Sequence, residues 1–524
     1  MSGKFQATGK TNCMARFRVQ QPASRTKTSP FLYIIILMPL LFSCSKPADI
    51  RDAILNHKNS FYYIDFGKYP RNDASLPVGV FDSGTGGLSV LADIISHEGL
   101  KNESFIYLGD LANMPYGNYT LENNTGLLIE HVMKDVQFLL GNKYYQSGTT
   151  AGYETDRKPV KAIVIACNTA TAFALDTVKQ FLRQAGSDIG VIGVVDAGAT
   201  GAFVNFSPGE NGSIAVLATD GTVKSGAFPR AIDSRNREDG QEELIQVFQQ
   251  AGIGIAEAID ESPEAIDRKA NGPREGYRGP SDKAEGEMRI DLSLWKRYDF
   301  DTGNGALLFE GDAANPVNIQ INSVENYIAF HVVTLMERIR NTEGALPLSS
   351  VVLACTHYPF YEKTFREEFT RLRNYKENDI YIYRDLIAGD LLIVNPAEVV
   401  AGQLYAYLAA GNLLNREGAG PETEGSHARA GEGNEFYVSV PNLRNRNVRL
   451  REDGSFTYDY KYGRKAGDIQ EYVRAVPFSR SSIAPDILTR LSGQIPEIYR
   501  MMASFNNDNP KTSYLKEEER IVSE

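Results

Sequence analysis

The sequence predicts an α/β fold with mainly parallel sheets, and three observations point there. First, short apolar runs end in small polar clusters. Val78-Gly79-Val80-Phe81 enters Asp82-Ser83-Gly84-Thr85-Gly86-Gly87, Ile163-Val164-Ile165-Ala166 enters Cys167-Asn168-Thr169, and Val351-Val352-Leu353-Ala354 enters Cys355-Thr356-His357-Tyr358-Pro359. Runs without polar alternation read as strands buried on both faces. Second, helix-like segments follow the clusters, at residues 88–95, after Cys167 and at 361–373. Third, the clusters then fall at the carboxyl ends of strands, where open α/β sheets hold their ligands. Two clusters carry one cysteine each. A lone cysteine often only fills buried space. The matched pair, flanked by hydroxyl and amide donors, points instead to two halves closing on one small substrate.

Composition bounds the rest. The chain has 524 residues, 42% hydrophobic and 23% charged, which suits a globular protein of two or three domains. A net charge of -11 argues against a nucleic-acid partner. The four cysteines, Cys13, Cys44, Cys167 and Cys355, are spaced for neither a zinc site nor a disulfide framework. Six scattered histidines without an H-E-x-x-H pattern predict no metal site.

Residues 1–48 contain no acid but include Lys4, Lys10, Arg16, Arg18, Arg25 and Lys27. An apolar run over 31–42 ends in Leu41-Phe42-Ser43-Cys44. A basic region, a short apolar segment and a small residue describe a secretory signal. The run is short for a membrane span. Its ending resembles a bacterial lipoprotein signal. That resemblance implies that Cys44 is the lipidated first residue of an exported protein, on the periplasmic side or at the outer membrane. An uncleaved signal anchor, or a start at Met14, is the alternative. Residues 45–75 read as a tether.

From there the chain alternates. Glycines at 84–87 let the backbone approach a ligand and precede a helix N-terminus, which favours anions. Phe105-Ile106-Tyr107-Leu108 reads as a strand, followed by a loop with Met114-Pro115-Tyr116-Gly117. Ile192-Gly193-Val194-Val195 and Ile214-Ala215-Val216-Leu217 read as two more strands. The second leads into Ala218-Thr219-Asp220-Gly221-Thr222-Val223-Lys224-Ser225. Residues 231–291 then hold fifteen acids against eight basic residues, with Gly and Pro. They read as the start of a solvated, acidic insert, extending to about 317, with a helix near 244–248. Residues 324–339 read as a helix, with His331 as a core or surface residue. Ile393-Val394-Asn395-Pro396 and a helix over 397–408 complete the α/β part. Residues 411–435 have linker composition. Phe456, Tyr458, Tyr460 and Tyr462 alternate after Glu452-Asp453-Gly454, which signals a hairpin packed on the main body. Residues 469–505 read as helical, with a frayed, charged end.

Four motifs together resemble glutamate racemases of the cofactor-independent aspartate/glutamate racemase superfamily. They are Asp82-Ser83-Gly84 with Gly86-Gly87, Pro115-Tyr116-Gly117, Ala166-Cys167-Asn168-Thr169, and Ala354-Cys355-Thr356-His357-Tyr358-Pro359. The resemblance covers roughly 76–230 and 318–412. It implies two facing α/β domains with the active site in the cleft between them. The first would comprise 76–191 plus 393–412, and the second 192–392 with the insert near 231–317. Residues 413–524 would be a linker and an extension. The resemblance further implies that Cys167 and Cys355 are the catalytic acid/base pair, assisted by Asp82 and His357. Substrate would be bound by Asp82, Ser83, Pro115, Tyr116, Gly117, Asn168, Thr169, Thr219, Thr222, Thr356 and His357. No cofactor and no metal would be needed. Two departures stand out. Phe228 replaces the family's tyrosine, and the acid that the family uses in its second domain is not assignable from sequence.

The chemistry explains a cysteine pair. Racemisation removes an α-proton from one face of a carbon and delivers one to the other. One side chain serves both faces poorly, whereas two on opposed walls do so readily. A free thiol has a pKa of about 8.5, so one cysteine must rest as thiolate and the other as thiol. The expected reaction interconverts L- and D-glutamate. The alternatives are an exported amino-acid-binding lipoprotein without turnover, or a racemase of aspartate or another small diacid. The expected partners are an amino-acid substrate and a membrane reached through the lipid anchor; a homodimer is left open. Glutamate racemases supply D-glutamate for peptidoglycan, so an exported form would act on wall-derived D-amino acids.

Overall fold

The computed structural model describes residues 49–207, 209–238, 244–312, 315–416 and 433–522. Two sheets organise them. The first runs in the order Val473–Pro477, Glu435–Pro441, Phe105–Gly109, Val78–Asp82, Ala162–Ile165, Gly190–Gly193. All its pairs are parallel except the antiparallel Glu435–Pro441 and Val473–Pro477. The second sheet is wholly parallel, in the order Ile387–Val394, Leu348–Ala354, Gly212–Ala218, Ile245–Ala251. The central strands Val78–Asp82, Ala162–Ile165 and Gly212–Ala218 are buried throughout, as their unbroken apolar runs require.

Register does the positioning. In the first sheet Asp82 pairs with Gly109 and Phe81 with Ile165, so three strands stop at one level. In the second, Ala218 pairs with both Ala251 and Ala354. Everything polar that follows those residues is therefore delivered to one rim of each sheet.

Several elements depart from the sequence reading. The supposed helix near 244–248 is the edge strand Ile245–Ala251. Its glutamines interrupt the apolar run, and Gln246 is used to bond the neighbouring loop, accepting from Leu346 N at 2.8 Å. Val194 and Val195 do not extend the fourth strand but open the helix Val194–Ala202. The start of the tether is folded: helix Ile50–Leu55 buries Ile50, Ala53 and Ile54 in the first core. The hairpin forms around Glu452-Asp453-Gly454 but stops at the first aromatic: Leu450 and Phe456 bridge antiparallel, with Arg451 N donating to Ser455 O at 2.8 Å and Thr457 N to Arg449 O at 3.0 Å. Tyr458–Gly463 is a helical turn in which Tyr458 and Tyr462, four apart, pack with ring centroids 4.6 Å apart. Residues 469–505 are not one helix but the strand Val473–Pro477, the helix Pro485–Gln494 and the start of the helix Pro496–Asp508. The charged end is docked by Arg520, which donates to the carbonyl of Leu515 at 3.1 Å, beside fully buried Ile521. Most of the 411–435 linker lies outside the described residues. Phe228 is fully buried, and His331 is a core residue bonded to the Ile253 carbonyl at 2.9 Å.

The extension is part of the first sheet and its core. Glu435–Val438 pairs with Ile106–Gly109, and Phe436, Tyr437, Phe478, Leu491, Met502 and Phe505 join its core. The backbone ladder of Glu435–Val438 gives the strand Phe105–Gly109 its edge partner, and burial of these side chains holds that partner in place. Phe436→Ala should therefore lower the unfolding free energy by about 3–5 kcal/mol. A urea titration that shows a loss below about 1 kcal/mol would mean that the extension is not core.

Candidate functional site

The two rims meet across a small cavity of about 20 Å³ lined by Ser83, Met114, Pro115, Tyr116, Gly117, Cys167, Asn168, Thr169, Thr219, Ala256, Glu257, Cys355, Thr356 and His357. Both cysteines are buried and unpaired. Eleven of the sequence-predicted residues thus share one cavity. Asp82 and Thr222 stand behind its wall.

Each half holds its own thiol. Cys167 caps the helix Asn168–Gln184, and its sulfur accepts from Ala170 N at 3.5 Å. The thiol lies 3.6 Å from Ser83 Oγ, to which it donates. Burial pushes its pKa upward, and the Asp82 carboxylate adds to that; the Ala170 amide and Ser83 oppose it. Cys167 is therefore held as a thiol. Asp82 itself fastens the glycine turn, accepting from Gly84 N and Gly87 N at 3.0 Å each, while Tyr107 donates to Gly84 O at 2.7 Å.

The second thiol has a different neighbour. Cys355 Sγ is 3.7 Å from His357 Nδ1, and His357 Nε2 lies 2.6 Å from Asp260 Oδ2. Burial works against a charged imidazole, but Asp260, with Cys355, outweighs it and raises the His357 pKa well above the usual 6.5. Burial likewise opposes the Asp260 charge, yet His357 and Arg490 bring its pKa down to about 2. The pair is thus imidazolium and carboxylate, and the charged ring can donate its Nδ1 proton to the Cys355 sulfur.

Hydroxyls stitch the rims together. Thr356 Oγ1 donates to Asp82 Oδ1 at 3.2 Å, and Ser89 Oγ donates to Thr356 O at 3.2 Å. Thr169 Oγ1 and Thr219 Oγ1 are 2.6 Å apart, with Thr222 Oγ1 3.3 Å and 3.1 Å from them. Gly86 must be glycine, since a Cβ there would sit 2.7 Å from Thr356 Oγ1 and 2.8 Å from His357 Nδ1. Tyr116 lines the cavity, but its hydroxyl points away, 2.6 Å from Asp110 Oδ2 and 2.7 Å from Asp135 Oδ2. A phenol has one proton to give, so one of those carboxyls carries its own; burial pushes the pKa of both upward. Asn168 Oδ1 is buried without a hydrogen-bond partner among the described residues, leaving an acceptor for a bound ligand.

Sequence reading missed Asp260, Glu257 and Arg490. The first two follow the strand Ile245–Ala251, so recognising that strand would have marked its carboxyl end as part of the rim. Glu257 faces the cavity, and burial pushes its pKa up. A wider cavity of about 560 Å³ adjoins and shares Met114, Pro115 and Glu257 with the first. Among the described residues no cluster of His, Cys, Asp and Glu is arranged to hold a metal.

No family model matches the chain. Among curated proteins it is similar to a glutamate racemase of Lactobacillus acidophilus, 40% identical over 162 residues, which is 31% of this chain and 49% of that protein. It is similar to that of Staphylococcus carnosus at 37% over 160 residues, 30% and 49% of the two chains. It is similar to that of Lactobacillus johnsonii at 34% over 194 residues, 37% and 59%. The chain spans about half the length of these relatives. Solved structures that it resembles include a glutamate racemase isoform of Bacillus anthracis (22% identity, TM-score 0.38, 65% of this chain and 84% of that one). Another is the enzyme of Francisella tularensis in complex with D-glutamate (20% identity, TM-score 0.37, 75% and 95%).

The His357–Asp260 pair has a direct test. Burial disfavours the charge on His357 but the Asp260 carboxylate stabilises it, so the charged form persists as pH rises past 6.5. Asp260→Asn leaves burial, the first of the influences on this ring, opposed only by Cys355, which favours the neutral form. Imidazole NMR should show His357 protonated at pH 7 in the parent and titrating below about 6.5 in the variant. An unchanged titration would mean that Asp260 does not set its charge.

Proposed function

We propose that this chain is a cofactor-independent amino-acid racemase interconverting L- and D-glutamate by proton transfer between Cys355 and Cys167. The observation that carries the reading is one cavity with a thiol at a strand end of each sheet, each in an opposite electrostatic setting. Cys167 sits by a carboxylate, and Cys355 by an imidazolium. A racemase needs one proton donor and one acceptor at rest, and this asymmetry supplies them. Cys355 is the resting base, with the His357 hydrogen bond steadying its thiolate. Cys167 is the resting acid, delivering its proton to the opposite face of the α-carbon. Reprotonating the new thiolate from the substrate runs the reaction backwards.

Substrate binding follows from the same walls. Among the described residues no Lys or Arg lines the reaction cavity. Carboxylates would be held by Ser83, Thr169, Thr219 and Thr356 and by the amides that open the helix Asn168–Gln184. Asn168 Oδ1 and Glu257 would take the ammonium. The relatives' names support glutamate; aspartate is the competing substrate, and an amino-acid panel followed by chirality separates the two.

Each of Cys167→Ala and Cys355→Ala should reduce racemisation at least about 1,000-fold, the range expected on losing an essential acid or base. In heavy water the parent should place deuterium at the α-carbon of both enantiomers. A protein that binds glutamate yet leaves it unlabelled would be a binder and not an enzyme.

The reading extends to location. We infer that the mature chain is an exported lipoprotein starting at Cys44, on the basic start, the apolar run and Leu41-Phe42-Ser43-Cys44. Its substrate there would be D-glutamate released from peptidoglycan. Among the described residues no helix is long and apolar enough to cross a membrane. Cys44→Ala should leave the precursor unprocessed or free the protein from the membrane fraction. Unchanged processing and attachment would argue for a signal anchor.

A further inference from the structure

The helix Pro485–Gln494 belongs to the extension, yet it reaches the reaction site. Its Ile487, Leu488 and Leu491 are buried in the first domain's core. Between them Arg490 points to the other half. One guanidinium nitrogen donates to Asp260 Oδ1 at 2.8 Å and to Thr85 Oγ1 at 3.1 Å. The second donates to the carbonyl of Ile259. The group also lies over the ring of Phe360, 5.1 Å from its centroid. Thr85 sits in the glycine turn of the first sheet, and Asp260 ends the helix that follows the second sheet's edge strand. Arg490 therefore joins three parts of the chain at the carboxylate that holds His357.

We propose that Arg490 is a positioning residue, fixing Asp260 as a carboxylate in one orientation so that His357 keeps its proton towards Cys355. The inference rests on the proposed acid/base roles of the two cysteines. Asp260 presents one oxygen to each partner, Oδ1 to Arg490 and Oδ2 to His357. A buried carboxylate and imidazolium left to themselves gain by sharing the proton and becoming neutral. The guanidinium cannot give up its proton and so blocks that collapse. The ionisable groups around His357 are Cys355 and Tyr358 on its own segment, and Asp260 and Glu257 beyond the edge strand. Arg490 comes from the extension, and Asp82 and Tyr107 from the first sheet. Of these, Arg490 is the cation against Asp260. The effect should be larger at Cys355, because Cys167 makes its own hydrogen bonds to Ser83 and Ala170 and meets this chain of contacts only through the charges of Asp82 and Cys355.

Iodoacetamide labelling followed by peptide mass spectrometry reads each thiolate separately, whatever the catalytic activity. The full mature chain carrying Arg490→Ala or Arg490→Gln should label Cys355 at least fivefold more slowly at pH 7 than the parent. Cys167 should stay within twofold. Arg490→Lys, keeping a charge but not the fork, should recover part of the Cys355 rate. In turnover, the alkaline limb of kcat/KM should move to lower pH in the Ala and Gln variants and return towards the parent with Lys. Cys355 labelling that is unchanged, or both cysteines labelling faster together, would overturn the proposal; the latter would reduce Arg490 to a latch between the halves. If the parent itself does not racemise, the labelling still decides the role of Arg490, and only the reading of the reaction falls.

Discussion

In the proposed reaction, two chemically identical thiols in one buried cavity must be kept in different protonation states, and much of the site serves that constraint. Burial alone raises the pKa of a thiol, so an unassisted pair would both be thiols. One must be given a cation, and a cation in such a place must itself be held. His357 is that cation, Asp260 holds it, and Arg490 holds Asp260. Removing one member of a buried ion pair typically costs about 3–5 kcal/mol, so the chain of contacts is kept as a unit. On the opposite wall the arrangement is inverted. Asp82 disfavours a thiolate at Cys167, while its oxygens are used up by two backbone amides and Thr356.

The sheets make the inversion achievable. Parallel strands in register end together, so each domain offers a flat rim from which short loops project. Two such rims facing each other place both thiols on the wall of one cavity without long loops. The glycines at 86 and 87 then serve clearance. A side chain at either would strike His357 and Thr356, or Asp82. The closeness of the two halves is thus written into residue size as well as into hydrogen bonds.

What could be seen in the sequence was whatever local pattern determines. Buried central strands must be apolar without interruption, so Val78–Asp82, Ala162–Ile165 and Leu348–Ala354 could be read together with the clusters at their ends. Helix Val324–Arg340, with its long buried face, was equally plain. An edge strand is under weaker demand. Ile245–Ala251 carries Gln246, Gln249 and Gln250, and an acidic neighbourhood made it look solvated. Mistaking that strand hid Asp260, which has meaning only as a residue beyond a strand end. The alternating aromatics kept to the expected hairpin only as far as Phe456, and for another reason. Over four positions a period of two also places residues four apart, the spacing of a helical turn, and Tyr458 with Tyr462 took that option. Arg490 had no local signal at all. Its role comes from long-range contact between the last helices and Asp260, 230 positions away in sequence.

The placement of Arg490 also bears on how substrate gets in. A cavity of about 20 Å³ has room for about one or two waters, not an amino acid, so the walls must part. On one side the halves are tied by a guanidinium that bonds Thr85, Asp260 and the Ile259 carbonyl while its helix is anchored in the first core. On another side, Met114, Pro115 and Glu257 separate the reaction cavity from one of about 560 Å³, walled in part by Arg278 and Gly279 of the insert and by Arg451, Tyr458 and Lys461 of the extension. Parting there costs the short contact between Thr169 and Thr219 and the part-exposed contacts of Arg451 with Glu264 and of Arg278 with Tyr458, but leaves the buried charged contacts at His357 intact. A hydroxyl pair is cheaper to break than a buried ion pair. Opening on the Met114 and Glu257 side would therefore admit the proposed substrate while keeping the imidazolium, and with it the inequality of the two thiols that the proposed reaction needs.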